Sequence, residues 1–211
     1  MLRLRTLGGV WVEDSDGSRI PNPRPRRLAL LVILAAAGPR GVSRARLRAI
    51  FWPDADEDRS RHALSQTIYA LRRDLDRTLI HADADLRLDS DSITCDVQQF
   101  REALARRDTS AAYALYHGPF AAGFSLDDSP EFDRWLEEER TALSREAESA
   151  FEALAKAAAA SGDHRHAAAV WQRLTDLDPV NGRFAASYMS ALAALGTEPG
   201  RWPTPRTTRH T

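Results

Sequence analysis

Residues 56 to 75 read DEDRSRHALSQTIYALRRDL, and spacing them about 100° apart around a helix sets Leu64, Ile68, Leu71 and Leu75 in one narrow arc. That arc is a core-facing seam. The opposite side carries Arg59, His62, Gln66, Tyr69 and Arg73, with Ser65 and Arg72 on one flank, and no acid falls on this outer face between Arg59 and Arg73. Asp56 or Asp58 can cap the helix start, where negative charge is favoured. Any amphipathic helix has a polar face, so the flanking sequence decides what this one is for.

Upstream, Ser43 is positioned to cap a helix over Arg44 to Phe51 that Trp52-Pro53 closes. Before it, Leu28, Leu31, Val32, Leu34 and Ala35 recur at helical spacing between Arg26 and Ala37, and Gly38-Pro39 supplies the stop. The N-terminus alternates from Leu2 to Leu7, breaks at Gly8-Gly9, resumes at Val10 to Val12 and turns at Asp16-Gly17 before a short third strand, Ser18 to Ile20. Downstream, Leu86-Arg87-Leu88 and Ile93-Thr94-Cys95 alternate around Asp89 to Ser92 and predict a second hairpin. A small sheet, three helices and a hairpin describe a winged helix-turn-helix domain over residues 1–95.

Beyond Asp96 only helical segments follow: Val97 to Arg106, Ser110 to Tyr116, Glu131 to Ala160, His164 to Leu177 and Arg183 to Leu195. Gly162-Asp163, Ala167, Leu174 and Asp178-Pro179 fall at spacings of a helix-turn-helix repeat of the tetratricopeptide kind. The expected fold is therefore mainly α with small β elements, the winged helix leading into an all-helical tetratricopeptide-like domain over 96–196. Pro199, Pro203 and Pro205 among polar residues predict a disordered tail over 197–211.

The 211 residues, 43% hydrophobic and 28% charged, have the make-up of an ordinary globular protein with room for two domains. The longest apolar run, Leu28 to Ala37, is too short to cross a bilayer, and no signal-peptide cleavage pattern precedes it, so no membrane role is expected and the cytoplasm is the expected address. A single Cys95 excludes an internal disulfide.

Net charge is −1, but it is unevenly spread: residues 1–95 carry 16 Arg against 13 acids, while 96–211 carry 13 bases against 17 acids. Arg24 to Pro53 holds seven arginines and no acid, a local basic surface.

On such a surface the outer face of the third helix suits a DNA major groove. Arg59 and Arg73 can pair bidentately with guanine, Gln66 with adenine, and His62 and Tyr69 can hydrogen-bond or touch a thymine methyl. Ser43, Arg44, Arg46, Arg48, Arg61 and Arg72 are candidates for phosphate contact. The hairpin offers Arg87 for the same task, but Asp83, Asp85, Asp89 and Asp91 surround it. No catalytic constellation or metal site stands beside these residues: His164 and His166 point apart on a helix, and the acids from Asp54 to Asp58 lack calcium-loop spacing. An enzyme is not expected.

Several of these residues also carry a family resemblance: Leu4 to Gly9, Arg26 to Leu31, Val42-Ser43, Leu47, Phe51 to Asp54, then Arg61, Leu64, Ile68 and Leu71 to Arg73. This series resembles the DNA-binding region of the Streptomyces antibiotic regulatory protein (SARP) family, whose winged helix is of the OmpR type. The second half is similar to that family's bacterial transcriptional activator domain (BTAD) through Asp96, Phe100, Leu115 to Phe120, Trp135, Glu139-Arg140, and Gly162-Asp163 to Asp178-Pro179. The resemblance spans residues 2 to about 196.

It implies a transcriptional activator that binds direct-repeat promoter sites on double-stranded DNA and recruits RNA polymerase holoenzyme, the helical domain serving polymerase contact or a homodimer. The sequence departs from the family at the wing, which lacks the usual Gly-Tyr, and at Gly182, where an acid is usual. Larger relatives add an ATPase domain; no phosphate loop occurs here, so no nucleotide or other cofactor is expected. The competing expectation, from the acidic wing and near-neutral total, is a protein-interaction scaffold that does not bind DNA.

Overall fold

The computed structural model describes residues 1–76 and 78–196; the tail expected over 197–211 lies outside the described residues. The chain divides into two compact units, Met1–Ala147 and the segment from Glu148 onward.

In the first unit, strand β1 (Leu2–Arg5) pairs antiparallel with β2 (Trp11–Glu13) and parallel with β6 (Ile93–Cys95). Leu2 and Leu4 are buried and Arg3 exposed, as the alternation requires. The Gly8-Gly9 break is a turn with φ of 101° at the first glycine and 140° at the second, conformations that favour glycine. A second sheet, in the order β3-β5-β4, joins β3 (Val42–Ser43), β5 (Asp85–Leu88) and β4 (Ile80–Ala82). The expected third strand at Ser18 to Ile20 is reduced to a single bridge between Glu13 and Arg19.

The expected hairpin between residues 86–88 and 93–95 does not form. Leu86 and Leu88 pair with Ala82 and Ile80 across a turn at Asp83-Ala84, while Ile93 and Cys95 join β1. Both segments alternate in the same way, so local pattern could not show that they belong to different sheets.

Helix α1 (Pro25–Ala37) has proline in its first turn and buries every residue from Leu28 to Ala36, so it is central rather than one-sided. It packs on β5, α3 (Glu57–Asp74) and α4 (Asp96–Ala105). Its last carbonyls are satisfied from α4 (Asp96–Ala105): Gln98 Nε2 donates to Ala35 O and Arg101 Nη1 to Ala36 O. Helix α2 (Arg44–Phe51) is capped by Ser43 Oγ, which accepts from Arg46 N at 3.2 Å. Helix α3 (Glu57–Asp74) is capped by Asp56, which accepts from Arg59 N at 2.8 Å. It carries Glu57 and Asp58 in its first turn and Arg72 and Arg73 in its last, in step with the helix dipole.

Asp96 is buried at the start of α4. Its carboxylate accepts from Thr6 N at 2.9 Å, Thr6 Oγ1 at 2.6 Å and Leu7 N at 3.1 Å, closing the N-terminal strand onto residues 90 positions later. After α5 (Thr109–Leu115), helix α6 (Pro130–Ala160) is tied down near its start. Arg140 donates to the carbonyls of Phe120, Ala121 and Phe124. Ser129 Oγ donates to Ile50 O at 2.9 Å, and Phe132 stacks on Phe51 with ring centroids 6.0 Å apart. The end of α2 therefore rests on the segment leading into α6. The spatial division at 147/148 thus lies beyond the 95/96 position at which the sequence pattern changes.

In the second unit, α7 (His164–Leu177) and α8 (Gly182–Ala194) pack as a helical hairpin around Ala167, Val170, Trp171, Leu174, Phe184 and Ala191. Asp163 caps α7 by accepting from His166 N, whereas α8 begins after Asn181 without a side-chain cap and with no acid in its first turn. The arrangement is a winged helix with a helical, tetratricopeptide-like second part. No helix among the described residues is long and apolar enough to cross a membrane.

Candidate nucleic-acid interface

The seam of α3 faces inward as its periodicity requires: Leu64, Leu71 and Leu75 are buried and Ile68 is half-buried, with Ser60 also covered. Opposite, Arg59, His62, Gln66, Tyr69 and Arg73 are all exposed, as are Ser65 and Arg72 on the flank. Tyr69 stands 66% exposed at the middle of the helix, unusual for a large aromatic side chain. Arg59 pairs with its own cap, Asp56, at 3.1 Å, an exposed pair that costs little to open. Arg72 and Arg73 make no ion pair among the described residues. Their guanidinium groups are available to an incoming anion or base.

The phosphate candidates fall into two groups. Arg44, Arg48 and Arg61 line one cleft of about 290 Å³ between α2 and α3, with Leu64 and Ser65. Glu57 lies against it, accepting from Arg61 Nη2 at 2.7 Å and from Arg48 Nη1 at 3.4 Å. These hydrogen bonds, that from Arg61 first, hold the Glu57 carboxyl below its ordinary range. Arg48 Nε is buried without a hydrogen-bond partner among the described residues. Arg44 Nη2 reaches Ala82 O of β4 at 3.3 Å. Ser43 caps α2, and Arg46, one turn on, is exposed with no ion pair among the described residues.

Arg87 stands apart from this group. It sits on β5 and pairs with Asp83 at 3.1 Å, so the hairpin's one arginine is already matched by a carboxylate of the same hairpin. Glu57's role as the anion between two arginines was missed in the sequence; its spacing of four from Arg61 was the available signal. Its bond to Arg48, nine residues away across the α2–α3 connection, had none.

Cys95 is buried in β6, and burial pushes its thiol well above the usual range, as suits a small strand residue. Among the described residues no group of three or more His, Cys, Asp and Glu side chains is placed to hold a metal ion.

Residues 86–199 match the family described as "Bacterial transcriptional activator domain". Nothing among the curated proteins matches the chain. Among solved structures it is similar to "Mycobacterium tuberculosis EmbR in complex with low affinity phosphopeptide", at 24% identity and a TM-score of 0.68. That match covers 92% of this chain and 55% of the solved one, so the chain spans about half the length of that protein, and the likeness is one of fold.

Proposed function

We propose, from the premise that this chain belongs to the bacterial transcriptional activator domain family, that it is a sequence-specific DNA-binding regulator, of the SARP type and with an OmpR-type winged helix, acting in the cytoplasm. The observation that carries this reading is the outer face of α3, exposed along its length and free of acids from Arg59 to Arg73 above a buried seam. Arg59, His62, Gln66, Tyr69 and Arg73 read base edges, while Ser43, Arg44, Arg46, Arg48, Arg61 and Arg72 hold phosphates on either side. A phosphate entering the α2–α3 cleft replaces the Glu57 carboxylate between Arg48 and Arg61. Arg87 contributes after release from Asp83. Bound to direct repeats, the protein activates transcription by recruiting RNA polymerase holoenzyme, with the helical segment making the polymerase or homodimer contact.

The test is selection of bound fragments from random duplex DNA with the purified chain, followed by titration of the selected site at rising salt. Enrichment of a repeated motif, with affinity falling steeply as salt rises, is the expected result. One observation favours a second reading: the acidic β4–β5 hairpin is a poor partner for phosphate and suits a protein-interaction scaffold. A flat salt response with no enriched motif would select the scaffold instead.

A further inference from the structure

We propose that the cleft bounded by the turn after α1, the first turn of α2, and helices α4 and α6 binds a small planar aromatic acid. Its volume of about 490 Å³ falls in the range of small-molecule sites. Ile33, Ala36 and Val42 are buried and form its apolar floor, and the half-buried Trp135 offers ring surface beside them. Arg40 and Arg46, both exposed, form its rim and make no ion pair among the described residues. The other two charged residues cancel: Arg101 pairs with Glu139 at 2.5 Å and approaches Glu146 at 3.6 Å. Two guanidinium groups thus remain uncompensated above an apolar floor.

That combination selects the ligand class. A bare inorganic anion would use the rim and leave the floor wet, and a neutral ring would use the floor and leave two arginines unmatched. A ring bearing a carboxylate satisfies both. The rim is also fixed by the backbone. The turn Gly38–Arg40 is bracketed by Gly38 at φ 62° and Gly41 at φ 69°. A Cβ on Gly41 would lie 2.7 Å from Leu86 O, so the turn is seated directly against β5.

Occupancy has a consequence for DNA that rests on the reading of Arg46 as a phosphate contact: an arginine held by a ligand carboxylate is withdrawn from the duplex. A bound aromatic acid therefore weakens DNA binding.

The experiment titrates the full ¹⁵N-labelled chain with 1-naphthoate, with the neutral 1-naphthylmethanol, and with hexaglutamate peptide, following the indole resonance of Trp135 assigned through Trp135→Phe. Expected is a saturable shift with 1-naphthoate, weakened at least about tenfold in the neutral analogue and in Arg40→Ala, the worth of one charge-assisted hydrogen bond. No saturable shift at Trp135, or equal binding by Arg40→Ala or by the alcohol, overturns the site. A stronger response to hexaglutamate overturns the small ligand in favour of an acidic protein segment. Mobility shift of the selected DNA with and without saturating 1-naphthoate then reads the coupling: weaker DNA binding supports it, and unchanged binding overturns it while the resonance shift still upholds the site. A chain that binds no DNA at all refutes the regulator reading without touching the resonance result.

Discussion

Helix α3 and the β4–β5 hairpin belong to the same winged-helix arrangement, yet they present opposite chemistry. The outer face of α3 carries exposed Arg59, His62, Gln66, Tyr69 and Arg73 without an acid, and three arginines gather in the cleft beside α2. The hairpin carries Asp83 and Asp85 near its tip, with Asp89 and Asp91 just beyond, and pairs its arginine with Asp83. A duplex docked on α3, as proposed, would meet donors on the helices and carboxylates on the hairpin. On the proposed reading, attraction and its dependence on salt would be concentrated on α2 and α3, and the hairpin would limit how closely DNA can wrap.

The contrast between α3 and the hairpin depends most on what lies beneath the helix. Leu71 is only 1% exposed under the α3 face. Leu71→Ala should cost about 2–5 kcal/mol of stability. Denaturant unfolding measures that loss; an unchanged midpoint would mean that the face does not rest on this seam. Arg73→Ala leaves the fold intact and should weaken binding of the selected site by about 1–3 kcal/mol while relaxing preference at one base pair. If affinity and preference both survive in mobility-shift titrations, Arg73 reads no base.

On the hairpin the sign reverses. Asp83→Asn combined with Asp85→Asn removes two carboxylates and frees Arg87, and should tighten DNA binding by roughly 0.2–1 kcal/mol, the scale of exposed charge interactions. Weaker binding in that variant would show that the hairpin holds the duplex through its acids, and the contrast with α3 would fail.

The smallest effect is a pH dependence at the base of the hairpin. Asp89 is held below the ordinary 3.8 chiefly by the Ser92 hydroxyl, then by the Asp91 amide and by His81. A lowered carboxyl stabilises the fold fully above its ordinary value and loses that contribution as pH falls through the lowered one. Thermal unfolding should thus show wild type above Asp89→Asn at neutral pH, the two converging below 3.8. A gap that persists in acid would assign the difference to packing.

Much of this was legible because the helix signals are local. Ser43 and Asp56 sit one residue before α2 and α3 and cap them through their own side chains, so α2 begins where the pattern places it and α3 at the first of the two caps the pattern allows. The exposed face of α3 follows from its period alone. Strand partners are not local. Residues 93–95 alternate like residues 86–88, but their partner is β1, at the very start of the chain, and no short-range rule distinguishes the two pairings. β3 was hidden because Ser43 ends a strand and caps a helix at once. Ion partners divide the same way: Arg61 with Glu57 is four apart on one helix and readable, whereas Arg87 with Asp83 depends on the β4–β5 turn and Arg48 with Glu57 on how α2 and α3 cross.

The Asp96 carboxylate also dictates an order of events during synthesis. A nascent chain leaving the ribosome exposes β1 long before its parallel neighbour β6 and the carboxylate that receives the Thr6 and Leu7 amides exist. The first strand waits, half-matched, until Asp96 has emerged, and such distant closure slows the search for the native topology. Cut after Cys95, the fragment would lose the acceptor for those two amides together with the α4 side chains that meet the last carbonyls of α1, so the first unit matures only once α4 has been made.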